Sequence, residues 1–216
     1  MKKLLVSGCS IAHGTEIFNK FYHPKNINGS FSKFLADLLK YEIHNVALPA
    51  ASNDYIFHSL VRELRILENI GLVVVLWTTT GRFSWKANGR YYFFSADGAS
   101  SMSDLLEFST NKKLMHNTLN NGIWISGDSD SIINRMSNAH KFFVTDFFDY
   151  NEEKEKIENY KISLSKICEA KNINIIHLNW DDIVDIGFWA SESRHPNLVE
   201  HQQIAERIYK KYVNKQ

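Results

Sequence analysis

Cysteine is scarce in this sequence, since its 216 residues include only Cys9 and Cys168. Two cysteines are too few for a disulfide framework, and their separation along the chain is not that of a metal-binding pair. Such sparing use is typical of proteins in a reducing compartment. We therefore expect neither a disulfide framework nor a cysteine-based metal site.

An excess of charge of either sign is also absent. Lys and Arg total 25 against 24 for Asp and Glu, which leaves a net charge of +1, and no dense basic run is present. A near-neutral chain lacks the electrostatic footprint of proteins that bind a phosphate backbone or an anionic bilayer. The charge balance therefore predicts no nucleic-acid partner and no membrane partner.

Long hydrophobic runs are missing as well. The longest, residues 72–77, could cross a protein core, but a bilayer requires about 20 apolar residues. Near the start, Lys2 and Lys3 precede only three apolar residues, which is too short for the apolar region of a signal peptide. The sequence therefore predicts a cytoplasmic protein.

The composition is that of an ordinary globular domain. Hydrophobic residues make up 44% and charged residues 23%, which excludes a disordered or fibrous chain. A chain of this length fits one domain and buries roughly 70% of its unfolded surface. Because no repeat or linker interrupts residues 1–216, we expect a single domain.

Short apolar runs alternate with helical periodicities along the chain. Strands are predicted near residues 4–6, 43–47, 72–77 and 173–178. Helices are predicted at 31–39, from the cap cluster 52–54 to about residue 70, and at about 198–212. Residues 131–170 are predicted to form two helices with a break near 149–151. This order predicts a three-layer α/β/α sandwich with a mostly parallel, flavodoxin-like sheet.

Residues 82–127 do not follow this alternation. The aromatic stretch 90–94 is compatible either with a strand or with part of an irregular segment, and residues 98–103 and 117–122 are polar loops. We interpret 82–127 as a loop-rich insertion within the single domain.

The turn after the first predicted strand carries a candidate nucleophile. Ligands of open α/β sheets bind at the carboxyl ends of the strands, and residues 8–11, at such an end, read Gly-Cys-Ser-Ile. A serine on a tight strand-to-helix turn can project its hydroxyl from the sheet edge. A glycine turn followed by a helix-capping serine has the same pattern, so the motif alone leaves both interpretations of Ser10 open.

A candidate acid and base precede the final predicted helix, where residues 192–195 read Glu-Ser-Arg-His. A hydroxyl is a weak nucleophile at neutral pH and needs a base, which an imidazole oriented by a carboxylate supplies. Taken alone, Glu192 and His195 are as readily a surface carboxylate and a helix-entry imidazole. Together with Ser10 they would complete a hydrolase triad.

The two motifs resemble those of the SGNH or GDSL hydrolases. In that family the nucleophile follows the first strand in Gly-Asp-Ser-Leu, and the acid and base form Asp-x-x-His before the last helix. The resemblance is to divergent bacterial and phage members and spans nearly the whole chain through the order of motifs. It implies an SGNH hydrolase fold and a serine esterase with Ser10, His195 and Glu192 as catalytic residues. It also implies no cofactor and a small acyl ester as substrate, such as an acetyl group on a glycan.

The two middle motifs of the family match less closely. Where the family has a glycine whose N–H serves the oxyanion hole, this chain has Ala50, whose backbone N–H can serve equally if its conformation suits a side chain. The family's Gly-x-Asn-Asp has no literal match, and Thr79 is nearest to its Asn position. The resemblance therefore implies an oxyanion hole formed by Ser10, Ala50 and Thr79, with Asn53 as an alternative donor to complete it. Asn53 and, from its place after the third predicted strand, Arg82 are candidate substrate-binding residues.

Other polar features have simpler interpretations. Residues 127–129 read Gly-Asp-Ser but follow no clear strand, and we interpret them as a polar turn. Arg82 would contact an anionic substrate group or pair with an acidic side chain. The remaining histidines show no metal-binding spacing; we expect His13 on a helix surface and His201 facing solvent.

Two alternatives to an esterase stay open at this point. In the first, the same fold is a non-catalytic SGNH-like module that binds a glycan or a protein. The missing Asn motif favours it, and the retained Ser10, Glu192 and His195 oppose it. In the second, the chain is a nucleotide-binding α/β domain, which the absence of a glycine-rich phosphate loop weakens.

Overall fold

The computed structural model describes residues 1–15, 17, 24–49, 51–87, 90–95, 148–179, 182–183 and 195–213. Strands and helices alternate along these ranges as the sequence predicts. In chain order they are β1 (Lys3–Ser7), α1 (Ser10–His13), α2 (Phe31–Leu39), β2 (Glu42–Asn45), α3 (Asn53–Ile66), β3 (Ile70–Leu76), β4 (Arg82–Ala87), β5 (Arg90–Ser95), α4 (Tyr150–Ala170), β6 (Asn174–Leu178) and α5 (Leu198–Ile208). A 3₁₀ helix, Pro24–Gly29, precedes α2, and a π-helical turn, Tyr209–Val213, follows α5.

The central sheet is parallel and has the strand order β2-β1-β3-β6. Val6 lies opposite Asn45 of β2, and Ser7 lies opposite Val75 of β3. The carboxyl ends of β1, β2 and β3 therefore reach the same edge. In a doubly wound sheet of this order, the crevice beside the first strand is where ligands bind.

Alternate side chains of the inner strands pack on opposite faces of the sheet. Leu4 and Val74 belong to a core with α2 and α5, whereas Leu5 and Val73 belong to a core with α3 and α4. All four are completely buried, and burying an aliphatic side chain of this size stabilises the fold by about 1.5–3 kcal/mol. The predicted three-layer α/β/α architecture with a parallel sheet is confirmed.

Polar side chains fix the beginnings of the helices that approach this edge. Ser52 caps α3 by accepting a hydrogen bond from the N–H of Tyr55 at 3.2 Å. Asn197 and Glu200 form a capping box at the start of α5, in which each side chain accepts a hydrogen bond from the other's backbone N–H. These caps satisfy N–H groups that a helix start would otherwise leave without partners.

The segment predicted to be a loop-rich insertion begins with regular structure. β4 and β5 form an antiparallel hairpin in which Arg82 lies opposite Ser95, so the aromatic stretch 90–94 is a strand. The rest of the predicted insertion, residues 96–127, lies outside the described residues, so the loop-rich insertion stays a prediction. The predicted break near 149–151 coincides with the beginning of α4, where Asp149 caps the helix. The helix predicted before this break lies outside the described residues.

Candidate active site

The candidate nucleophile stands one turn beyond the end of β1. Gly8 makes that turn tight, because a Cβ atom at this position would lie 2.7 Å from Cβ of Ala12 and 2.9 Å from Cβ of Leu76. Real Cβ contacts are not that short, so only glycine lets α1 sit this close to the end of β3. Ser10 is the first residue of α1 and is 4% exposed.

Hydrogen bonds from three directions hold α1 in place. The carbonyl of Ser10 accepts from the N–H of Thr15 at 2.9 Å, across a turn that Gly14 closes with a φ of 79°. The carbonyl of Ala12 accepts from Oγ of Ser32 at 3.2 Å and from Nδ2 of Asn45 at 2.7 Å. The backbone that carries Ser10 is therefore fixed by α2 and by the end of β2.

The loop after β2 runs alongside the Gly8 turn. The N–H of Leu48 donates to the carbonyl of Gly8 at 3.2 Å, and the N–H of Ala51 donates to the carbonyl of Leu48. Ala50, the candidate oxyanion donor, lies outside the described residues, but its neighbour Ala51 is completely buried. The two candidate oxyanion loops are thus joined by a backbone hydrogen bond.

Asn53 connects the start of α3 to the loop after β3. Its Nδ2 donates to the carbonyl oxygens of Thr78 at 3.2 Å and Thr79 at 3.3 Å. Its Oδ1 accepts from the N–H of Thr78 at 3.0 Å. The side chain is 1% exposed, so its amide is engaged with backbone groups, and the structure gives Asn53 a holding function in place of the predicted substrate contact.

Thr79 and Arg82 are both part of the turn between β3 and β4. The N–H of Arg82 donates to the carbonyl of Thr79 at 3.3 Å. Both side chains are partly exposed, whereas that of Thr78 is buried. Thr79 therefore keeps a route to a ligand, as a candidate oxyanion donor requires.

His195 lies immediately before Pro196 and the capping box of α5, and its side chain is partly buried. Its charge is one of the influences that lower the pKa of His201, which locates it near that buried ring. Glu192 lies outside the described residues. No hydrogen bond joins Ser10 to His195 among the contacts of the described residues, and the triad geometry stays a prediction.

The expectation that His201 faces solvent is wrong, because this side chain is completely buried. Its Nδ1 accepts a hydrogen bond from the N–H of Phe31 at 3.1 Å, so the neutral ring carries its proton on Nε2. Burial, and then the charge of His195, lowers the pKa of His201 to about 3. The ring thus ties α5 to the start of α2, which in turn contacts α1.

The expectation that His13 lies on a helix surface is also wrong, because the side chain is 1% exposed. Its Nδ1 lies 3.4 Å from Oγ1 of Thr15, and burial lowers the pKa of His13 to about 4. The side chain is therefore neutral at physiological pH. The cause of the error is the length of α1, since a four-residue helix enclosed by neighbouring elements has no solvent-facing side.

A second serine–histidine pair, which the sequence did not reveal, lies between α4 and β6. Oγ of Ser165 is 3.0 Å from Nε2 of His177, and Nε1 of Trp77 donates to Nδ1 of the same ring at 3.1 Å. Burial, and secondarily the charge of Lys161, lowers the pKa of His177 to about 4. An indole N–H can only donate, so Nδ1 is the acceptor and the proton is on Nε2. Ser165 therefore faces an N–H instead of a base, and this pair is not arranged as a nucleophile and its activator.

Neither a metal centre nor a membrane-spanning helix is found in the part of the chain that the structure describes. These residues contain no group of three His, Cys, Asp or Glu side chains able to hold a metal ion. Among the described helices, none is long and apolar enough to span a membrane.

No known protein family and no curated protein matches the sequence. Solved structures are nevertheless similar to the chain over almost its full length. A lipolytic protein of the G-D-S-L family from Desulfitobacterium hafniense is 15% identical, with 97% of this chain and 99% of that chain covered and a TM-score of 0.39. A lipase/acylhydrolase from Enterococcus faecalis is 13% identical, with 100% and 97% covered and a TM-score of 0.42. A carbohydrate acetylesterase family member from Sinorhizobium meliloti is 11% identical, with 97% and 96% covered and a TM-score of 0.38.

These proteins are described as lipolytic and carbohydrate esterases. At such TM-scores the likeness adds no evidence for a function. The fold assignment rests on the sheet order of this chain, and the function proposed below rests on its residues.

Proposed function

We propose that the protein is a serine esterase of SGNH type that hydrolyses a small acyl ester with Ser10 as nucleophile. The observation that carries the proposal is the position of Ser10. It follows β1 through a turn that only glycine permits, at the sheet edge where ligands of this strand order bind. A serine needed only to cap a helix would not require this enclosed position.

In the proposed reaction, Oγ of Ser10 attacks the ester carbonyl while His195 takes the hydroxyl proton. The tetrahedral intermediate then collapses to an acyl-enzyme, and His195 gives that proton to the leaving alkoxide. A water molecule, deprotonated by His195, attacks the acyl-enzyme. As the second tetrahedral intermediate collapses, His195 returns this proton to Oγ of Ser10 and the carboxylic acid is released. Glu192 would orient His195 and stabilise its imidazolium form.

The oxyanion would be held by the backbone N–H groups of Ser10 and Ala50, together with Thr79. Loss of one such donor in other hydrolases lowers the rate by about 10²–10³. A threonine hydroxyl reaches less far than the asparagine amide of the family's third motif. We therefore expect a slow enzyme with an intact mechanism.

The burial of Ser10 supports a small acyl group as substrate. Ser10 is 4% exposed, and a serine so enclosed suits an acetyl group better than a long acyl chain. The partly exposed Arg82 at the adjoining turn would meet an anionic or polar group on the alcohol side, as the acetyl ester of a glycan would present.

A non-catalytic module that binds a glycan or protein is the second candidate. The observation that favours it is the threonine-rich turn after β3, which lacks the Gly-x-Asn-Asp of active family members. Such a module would keep the pocket and the fold without reacting.

Labelling with a fluorophosphonate probe tests the proposal directly. This reagent forms a covalent adduct with an activated serine, and mass spectrometry of the digested protein identifies the residue. We expect the adduct on Ser10 and none in the Ser10→Ala variant. An absence of adduct from folded wild-type protein would favour the binding module, and an adduct on Ser165 or Ser129 would mean that the nucleophile is misassigned.

A further inference from the structure

The side-chain amide of Asn53 forms hydrogen bonds with both backbone groups of Thr78, its N–H and its carbonyl, as the backbone of a neighbouring strand would. It accepts from the N–H of Thr78 at 3.0 Å and donates to the carbonyl of the same residue at 3.2 Å, with a further contact to the carbonyl of Thr79 at 3.3 Å. Only one orientation of the amide fits this surrounding, because Oδ1 must face the N–H and Nδ2 must face the two carbonyls.

The position of Asn53 links the loop after β2 to the turn after β3. It is the first residue of α3, directly after the loop that follows β2, and Ser52 caps this helix start. Through its side chain it also fixes the backbone of Thr78 and Thr79. One buried residue therefore sets the spacing between the loop after β2 and the turn after β3.

The turn itself contains few other restraints on these threonines. Among the described residues, its remaining backbone contacts are the bond from Trp77 to Leu178, before Thr78, and the bond from Arg82 to the carbonyl of Thr79. Neither involves the N–H of Thr78. The N–H of Thr78 is therefore paired by a side chain that lies 25 positions away in the sequence.

We propose that Asn53 is a positioning residue for the oxyanion hole, which aligns the Thr79 donor with the backbone donors of Ser10 and Ala50. This function of Asn53 depends on the proposed esterase activity. The proposal goes beyond that activity because Asn53 partly replaces the missing asparagine of the third motif. Its amide, which belongs to the second motif, holds the backbone of Thr78 and Thr79 and does not contact the substrate.

Asn53→Asp is the informative substitution, because it keeps the shape and one of the two hydrogen-bonding capacities. An ionised carboxylate still accepts from the N–H of Thr78. Its second oxygen, however, replaces the amide NH₂ that donated to the carbonyls of Thr78 and Thr79, and it cannot donate to them. When protonated, it can donate to one of them. Burial raises the pKa of such a carboxyl, so part of the lost function should return as the pH is lowered.

Among the described residues, the ionisable groups near this end of α3 are Asp54 and His58 on α3, Glu153, Lys156 and Tyr160 on α4, and Arg82 on β4. Lys156 and Tyr160 both bond to Asp54, whereas the Asn53 amide bonds to the backbone of Thr78 and Thr79. All of these groups are common to the wild type and the variants, so dividing the variant's rate by the wild-type rate removes their contribution.

The experiment measures kcat and KM for p-nitrophenyl acetate from about pH 8 to about pH 6. At the upper end we expect Asn53→Asp to lower kcat by about 10–10² with KM within about threefold of the wild type, because the loss acts on the transition state. The ratio of variant to wild-type kcat should rise by about tenfold as the pH falls. Asn53→Ser, which does not titrate, should lower kcat with a ratio independent of pH.

Ser59→Ala is the matched structural control. Ser59 is a buried residue of the same helix and bonds to Ser7 of β1 at 2.9 Å, away from the β3–β4 turn. This variant should lower the thermal midpoint while keeping kcat within about twofold, since the two hydrogen bonds it removes, to Ser7 and to the carbonyl of Ile56, stabilise the fold without involving the turn.

A kcat of Asn53→Asp near the wild-type value, or a ratio that does not change with pH, would overturn the positioning function while leaving the esterase intact. If Asn53→Asp does not fold, a wild-type kcat in folded Asn53→Ser would overturn the positioning function equally. Absence of hydrolysis and of fluorophosphonate labelling in wild-type protein would refute the esterase proposal, and the positioning function would fall with it.

Discussion

Asn45 and Ala12 are joined by a hydrogen bond of 2.7 Å, in which the Nδ2 group at the end of β2 donates to a carbonyl two residues after Ser10. The same amide donates to Oγ of Ser32 at 2.7 Å and accepts from the N–H of Ala47 at 2.8 Å. One side chain therefore fixes α1, α2 and the start of the loop that leads to Ala50. It is the counterpart of Asn53 on the other side of β1.

Asn45→Ala should destabilise the fold and loosen α1. It leaves the N–H of Ala47 without its side-chain partner and weakens the support of the Ala12 carbonyl. The expected loss of unfolding free energy is about 1–3 kcal/mol, measured by urea denaturation. Asn174→Ala, at an exposed position on β6, should change it by less than about 0.5 kcal/mol. Equal effects of the two variants would contradict the function assigned to Asn45.

Acid should destabilise this protein already at mildly acidic pH. The pKa values of His13 and His177 are lowered from 6.5 to about 4, and that of His201 from 6.5 to about 3, chiefly by burial. The unfolded chain therefore binds protons first as the pH falls. The stability that these neutral rings contribute is complete above about pH 6.5 and decreases toward pH 4. Urea unfolding across this range should show uptake of up to ~3 protons near pH 5.

A substitution at one of these histidines separates their effect from general acid denaturation. His201→Phe should reduce the proton uptake on unfolding by about one. His58→Phe, which removes an imidazole at an exposed position, is the control for the substitution itself. Unfolding free energies that stay constant between pH 6.5 and 5 would show that the three rings are not buried as described.

Ser10→Ala should remove nearly all ester hydrolysis, because no other described serine has the same place at the end of β1. Ser129→Ala, in the literal Gly-Asp-Ser, should keep the rate within about threefold of the wild type, since the sequence around it predicts a polar turn and no strand before it. Initial rates with p-nitrophenyl acetate measure both. The reverse outcome would assign the nucleophile to residues 127–129.

Ser165→Ala should leave hydrolysis and fluorophosphonate labelling unchanged. The reason is the tautomer of His177, whose Nδ1 accepts from Trp77 and whose Nε2 carries the proton. Ser165 is consequently an acceptor toward this ring and is not activated. Loss of labelling in this variant would place the reactive serine between α4 and β6.

Glu192→Gln tests the proposed carboxylate of the triad. The amide keeps the size of the side chain but removes the charge that stabilises the imidazolium form of His195. The comparable change in a serine protease lowers kcat by about 10⁴, and the longer, less rigid reach of glutamate leads us to expect a drop of about 10–10³. Glu192→Asp should keep measurable activity. Wild-type rates in Glu192→Gln would leave only a dyad of Ser10 and His195.

The layered fold could be predicted from the sequence because a strand that is buried on both faces of the sheet has an uninterrupted run of apolar residues. β3 is apolar at consecutive positions, as only an inner parallel strand is, and the predicted strands 4–6 and 173–178 coincide with β1 and β6 to within a residue. β4 has a pattern of its own, since polar and apolar residues alternate over 82–87 as in a strand with two unlike faces. β5 has none, because its aromatic residues follow one another without alternation.

The positions of buried polar residues were harder to predict. His201 precedes Ile204, Ala205 and Ile208 at helical spacing, and this stripe is the signal that could have revealed its burial. No pattern reveals that Asn53 bonds to Thr78. The two residues are 25 positions apart, and their contact depends on how α3 docks against the end of β3.

The central position of β1 has a consequence for the order in which the protein folds. Its side chains Leu4, Leu5 and Val6 are completely buried, yet both of its hydrogen-bonding edges are paired with strands that are synthesised later. During synthesis the backbone N–H and C=O groups on both edges of β1 are therefore unpaired until β2, and then β3, has been synthesised. A chain in this state is open to wrong strand pairing with a second copy. Expression yield should consequently depend more on chaperone supply than the stability of the finished sheet would suggest.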